Sequence, residues 1–173
     1  MKKTILTIFL AIVSMLTMQA QTPKGMWVTY VVDEEAQEVV GHVLNFVGNQ
    51  VRQGLSVGSE MEGVGIIGLT FFAPAQEFTP DSNVINFHFD PVQVEMRLNS
   101  VDFIDELKNA IKENPAKEAE LKQIIINALT PNKEQMAKEG MLSGLYTIVW
   151  ANDTKLVLKD PDGESMTFIR AEQ

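Results

Sequence analysis

The hydrophobic pattern changes period several times along the chain. Thr4 to Met18 is an almost unbroken apolar run behind Lys2 and Lys3, and polar sequence begins at Gln21. Val28-Thr29-Tyr30-Val31-Val32 is β-branched and aromatic, which predicts a strand. Ala36, Val39, Val40, Val43, Leu44, Val47 and Val51 then fall at i, i+3, i+4 spacing. They predict an amphipathic helix of about twenty residues. Asp33 would cap its start and Gly54 its end, and His42, near the edge of the apolar stripe, is expected to be a half-exposed boundary residue. Ser56 to Gly65 has no period and is expected to be a loop, whereas Ile66 to Ala73 suits a short buried strand.

Val84 to Leu98 alternates well, but the parity of the apolar positions flips at Asp90-Pro91. A bulge, bend or tight turn is expected there. Helical spacing returns from Ser100, through Phe103, Ile104, Leu107 and Ile111. Asn114-Pro115 then opens a second helix, and Thr130-Pro131 a third that stops at Gly140. Leu145–Trp150, Lys155–Lys159 and Ser165–Arg170, joined by turn residues, predict a three-stranded meander.

The opening run has the layout of a secretory signal peptide cut after Ala20. It is shorter than a membrane span needs, and no second span follows it. Residues 21–173 then form one domain with a helical insertion at 100–140, in the periplasm or secreted. Removing Lys2 and Lys3 takes the net charge from −9 to −11. Such a chain is repelled by phosphate backbones, so nucleic acid is not an expected partner. The chain has no cysteine, which removes thiol chemistry, a cysteine-linked lipid anchor and cysteine metal sites.

Gly25-Met26-Trp27 before the first strand and Arg170 in the last one resemble the calycin superfamily, which includes lipocalins and bacterial lipocalin-like domains. The resemblance extends to Gly144–Arg170, but the 100–140 block departs from it. It implies an antiparallel barrel or curved sheet in which Arg170 lies across Trp27 and seals one end. About seven strands are legible, fewer than a closed small barrel needs. The expected fold class is therefore α+β: a lipocalin-like sheet with a helix after the first strand and a helical insertion. Trp27 and Arg170 are expected to be structural.

Candidate chemistry is sparse. His88 shares a strand face with Asn86 and Asp90, the type of pair from which a general base is built. A solvated polar face is the preferred reading of it. Asp160, Asp162 and Glu164 alternate as in calcium loops but lack the remaining ligands. Gly63-Val-Gly65-Ile-Ile-Gly68 precedes a strand, where a phosphate loop would follow one. No catalytic residue, metal or cofactor is assigned. The reading is a non-enzymatic exported protein that binds a small apolar ligand. The alternatives are a module that binds an envelope protein or peptide, and a hydrolase that uses His88.

Overall fold

The computed structural model describes residues 22–33, 38–80 and 82–171. The proposed signal segment 1–20 lies outside them. Ten strands form one antiparallel sheet: β1 Gly25–Asp33, β2 Glu38–Val47, β3 Gln50–Met61, β4 Gly65–Phe72, β5 Gln76–Glu77, β6 Val84–Phe87, β7 Glu95–Phe103, β8 Gly144–Ala151, β9 Lys155–Lys159 and β10 Ser165–Arg170. Helices α1 Asp105–Glu113, α2 Ala116–Leu129 and α3 Lys133–Gly140 stand between β7 and β8. The fold is thus α+β and rich in sheet.

The expected helix after the first strand is instead the β2–β3 hairpin. Its turn is Gly48-Asn49, where Gly48 has φ +61°. A Gly-Asn pair between hydrophobic runs is a hairpin turn, and the valines that fit a helical stripe are strong strand formers. Val40, His42, Leu44 and Phe46 alternate onto the inner face. Val43 and Val47 take the outer one, which disguised the period of two. The expected loop from Ser56 is the second half of β3, which ends at Met61 before a short turn. Strand β7 runs on to Phe103, so the helical block starts at Asp105, not at Ser100. The parity flip at Asp90-Pro91 is a single 3-10 turn, Pro91–Gln93, capped by the Asp90 carboxylate on the Val92 N–H.

The strand order is β6-β8-β9-β10-β1-β2-β3-β4-β7, with β5 beside β3. The edge strands β6 and β7 are therefore consecutive in the chain. Laid flat, nine strands at about 4.8 Å spacing would hold them roughly 38 Å apart. The connection from Phe87 to Glu95 reaches at most about 28 Å even when fully extended. The sheet must therefore roll up. Gln76 on β5 fixes the roll: its Nε2 donates to the Asn86 carbonyl at 2.7 Å, and its Oε1 accepts the His88 N–H at 3.0 Å. Among the described residues no ladder joins β6 to β7, so the cylinder they form is rolled but unclosed.

Two apolar clusters fill the concave side. Trp27, Leu44, Phe46, Phe87, Leu156, Leu158 and Phe168 anchor the first, under β8, β9, β10, β1 and β2. Leu55, Ile67, Leu69, Phe71 and Phe103 form the second with Ile125 of α2 and Ala137 of α3. The helices thus pack onto the β3–β4–β7 half of the sheet. The contact is close: a Cβ added at Gly140 would overlap the Leu55 side chain.

Candidate functional site

The first and last strands meet through a short ladder. Only Trp27↔Arg170 and Val28↔Ile169 are paired. Beyond Val28, β1 continues against β2 alone, and β10 before Ile169 pairs only with β9. The wall parts at this point. A cleft of about 390 Å³ occupies the parting, lined by Thr29, Tyr30, Val31, Val40, His42, Ser165, Met166 and Thr167. Small-molecule sites run from roughly 300 to 1,000 Å³.

The cleft lies where the two apolar clusters meet. Met166 packs on the first and Val40 on the second. Along β2 the inner face runs from Phe46 and Leu44, through His42, to Val40. Along β3 it runs from Val51 through Gln53 to Leu55. A polar position thus stands between the clusters on each strand. Gln53 is almost fully buried and is satisfied, because its Nε2 donates to the Leu142 carbonyl at 3.0 Å. The Nδ1 of His42 is also buried, but it has no hydrogen-bond partner among the described residues. Burial pushes the His42 imidazole below its ordinary pKa, because the charged form loses solvation. At neutral pH the His42 ring is therefore neutral, and its Nδ1 is closed off from solvent. Among the described residues, no Lys, Arg, Asp or Glu lines the cleft.

The apolar character continues to the rim. Tyr30 and Val31 are 64% and 70% exposed, and Val39 is 44% exposed. Exposed apolar side chains that cluster beside a cleft mark a binding surface more often than scattered ones do.

A larger, open basin of about 700 Å³ lies at the other end of the β1–β10 join, bounded by Lys24, Trp27, Pro80, Asp153 and Arg170. Its floor is structural. The Arg170 guanidinium lies over the Trp27 indole, whose Nε1 donates to the Lys24 carbonyl at 3.1 Å.

The structure does not bring the other sequence candidates together as a site. His88 is exposed, with its Nδ1 3.1 Å from the Asn86 carbonyl, and Asp90 is spent on capping the 3-10 turn. Among the described residues, no carboxylate makes a hydrogen bond or ion pair with the His88 ring. Asp160 accepts the Glu164 N–H at 2.7 Å and closes the β9–β10 hairpin turn. Gly65 and Gly68 sit on β4, where a side chain would run into Asp102 and Ser100 of β7, so strand crowding explains both. No group of three or more metal-ligating side chains occurs among the described residues. No described helix is long and apolar enough to cross a membrane.

His42 is the residue that sequence reasoning misplaced. At the edge of a supposed helical stripe it reads as a boundary residue. On a strand, between Val40 and Leu44, it points inward. No protein-family model matches the chain, and no curated protein or solved structure matches it.

Proposed function

We propose that this is an exported, non-enzymatic binding protein of lipocalin-like design that takes a small apolar ligand in the cleft between β1 and β10. The observation that carries this reading is the parting itself. A rolled sheet loses ladder hydrogen bonds there, and the gap opens on apolar side chains instead of closing over them. The contact of Trp27 with Arg170 supports the calycin resemblance, because it joins the first and last strands as that resemblance implies. The interior of this sheet is filled by side chains and helices, so the ligand sits in the wall and not in a central cavity. The test is native mass spectrometry of the protein isolated gently from its own cells. The reading expects a reproducible added mass that is lost on denaturation. A bare mass, together with no uptake of added apolar compounds, overturns it.

A second reading is favoured by the exposed rim of Tyr30 and Val31 and the two unladdered strand edges. An extended segment of an envelope protein can add to such an edge. That reading expects a crosslink from position 30 to a protein and no small-molecule mass.

A further inference from the structure

We infer that two copies of this chain associate edge to edge: β7 of one protomer pairs antiparallel with β7 of its partner, about a two-fold axis that passes between Asn99 and Ser100. The inference goes beyond the cleft readings above and does not depend on them. Four observations lead to it.

First, β7 leaves one side open. It has nine residues, and among the described residues it pairs with β4 alone. The other edge strand, β6, has only four residues, and Gln76 takes up its Asn86 carbonyl. A long unpaired edge is a template for another strand.

Second, the open groups can be assigned. The Ala73 N–H donates to the Gln53 carbonyl at 3.1 Å, so β4 turns its odd-numbered main-chain groups to β3 and its even-numbered ones to β7. Their β7 partners are Glu95, Arg97, Ser100 and Asp102. The Ile104 N–H, which donates to the Val64 carbonyl at 2.8 Å, continues this pattern. Met96, Leu98, Val101 and Phe103 therefore turn their main-chain groups to the open side.

Third, these four positions are complementary to themselves. When Leu98 stands opposite the partner's Val101, Met96 stands opposite the partner's Phe103. Open groups then face open groups along the whole strand. All four side chains belong to the concave-side cluster, so the same register sets apolar against apolar. The bulge at Asn99 shifts the parity between the two halves of β7. Only a register that lays bulge against bulge keeps concave-side residues together in both halves.

Fourth, the charges on the outer face agree with this register. It places Arg97 opposite the partner's Asp102, twice over. Their contacts within the protomer are to Glu95 at 3.1 Å and Lys108 at 2.8 Å, both in exposed pairs that constrain them little.

The experiment is sedimentation velocity of the protein purified as its own cells produce it, at micromolar concentrations. The expected mass is that of two chains. Arg97→Asp and Asp102→Arg each set like charges opposite one another at two places, so each should weaken the dimer about a hundredfold. Joined in one chain they restore opposite charges, and the dimer should return. Circular dichroism melts show whether each variant folds. A second probe reverses no charge. The chain has no cysteine, and positions 97 and 102 face each other as a non-hydrogen-bonded pair, with Cα atoms ~4.5 Å apart and within disulfide reach. A mixture of the Arg97→Cys and Asp102→Cys proteins should oxidise to a covalent dimer, whereas Arg97→Cys alone should not.

A single-chain mass at every concentration overturns the inference. So does a dimer that ignores both charge reversals and gives no link between positions 97 and 102, because its interface then lies elsewhere. Either result leaves the cleft readings as they stand.

Discussion

The guanidinium carbon of Arg170 lies 5.9 Å from the centre of the Trp27 ring, and the two residues are register partners on the first and last strands. This is half of a two-pair ladder that holds the C-terminal meander to the N-terminal hairpins. Gly25 stands beside this pair, and its backbone conformation, not lack of space, calls for glycine. It has φ +79°, a conformation L side chains rarely adopt, and a Cβ there would stand 3.5 Å from an Arg170 nitrogen. Trp27 is 1% exposed, whereas Arg170 is exposed. The two partners should therefore weigh very differently in stability. Trp27→Ala is expected to destabilise the protein by ~3–5 kcal/mol, a buried aromatic truncation. Arg170→Ala should cost no more than about 1 kcal/mol, the scale of an exposed cation–π contact. Urea unfolding of both variants checks this, and equal losses would contradict it.

The docking of the helices on the sheet is open to a similar test. Gly140 ends α3 against Leu55, which is 2% exposed and has little room to move. Alanine is the better helix former, so an isolated helix would gain from Gly140→Ala. In this protein the substitution is expected to cost about 1–3 kcal/mol through overpacking. Shortening the partner with Leu55→Val should return part of the loss, so a double-mutant cycle gives a favourable coupling between the two changes. Additive effects would mean that α3 does not press on β3.

His42 predicts an acid sensitivity. Burial holds its folded-state pKa below that of the unfolded chain, so the unfolded state binds more protons on acidification. Stability contributed by the neutral ring is fully present above about 6.5, the free imidazole value, and is lost as pH falls through the window below it. His42→Phe should flatten that part of the stability curve. At neutral pH it should leave stability unchanged or slightly raised, because an unpartnered polar atom is replaced by carbon. Thermal melts of both proteins across the acid range measure the difference. An unchanged slope in the variant would show that the slope comes from other groups.

The meander β8–β10 and strand β4 were legible in the sequence because each is bounded by turn residues and shows its own period. The β2–β3 hairpin was not. Valines on both its faces, at 39, 40, 43 and 47, satisfy a helical stripe as well as a strand that is apolar on each side. Only the Gly48-Asn49 turn separates the two readings. The cleft was illegible for a different reason. It exists because β1 and β10 stop pairing after Val28 and Ile169, and no local pattern in either strand records where a partner leaves. Helical spacing puts Ile124 and Ile125 of α2 in one apolar stripe. In the fold Ile125 is buried and Ile124 is 55% exposed, because only one side of that helix meets the sheet.

The roll of the sheet rests on a side chain in its shortest strand. Gln76 is buried, and it satisfies a carbonyl at Asn86 and an N–H at His88 from a strand that is itself paired to β3. It therefore ties the middle of the sheet to the β6 edge, across the seam that β6 and β7 leave open. Gln76→Ala removes both bonds and leaves the His88 N–H short of its partner, while the Asn86 carbonyl keeps only the exposed His88 ring beside it, at a cost of about 1–3 kcal/mol if no water reaches the N–H. The position of the loss is more telling than its size. Amide hydrogen exchange should quicken in β6 and in residues 88–94. The β9–β10 ladder, bonded on the far side of the cylinder, should hold its protection until global unfolding. Uniform acceleration throughout the sheet would mean that the seam has no local stability of its own and that Gln76 is one core contact among many.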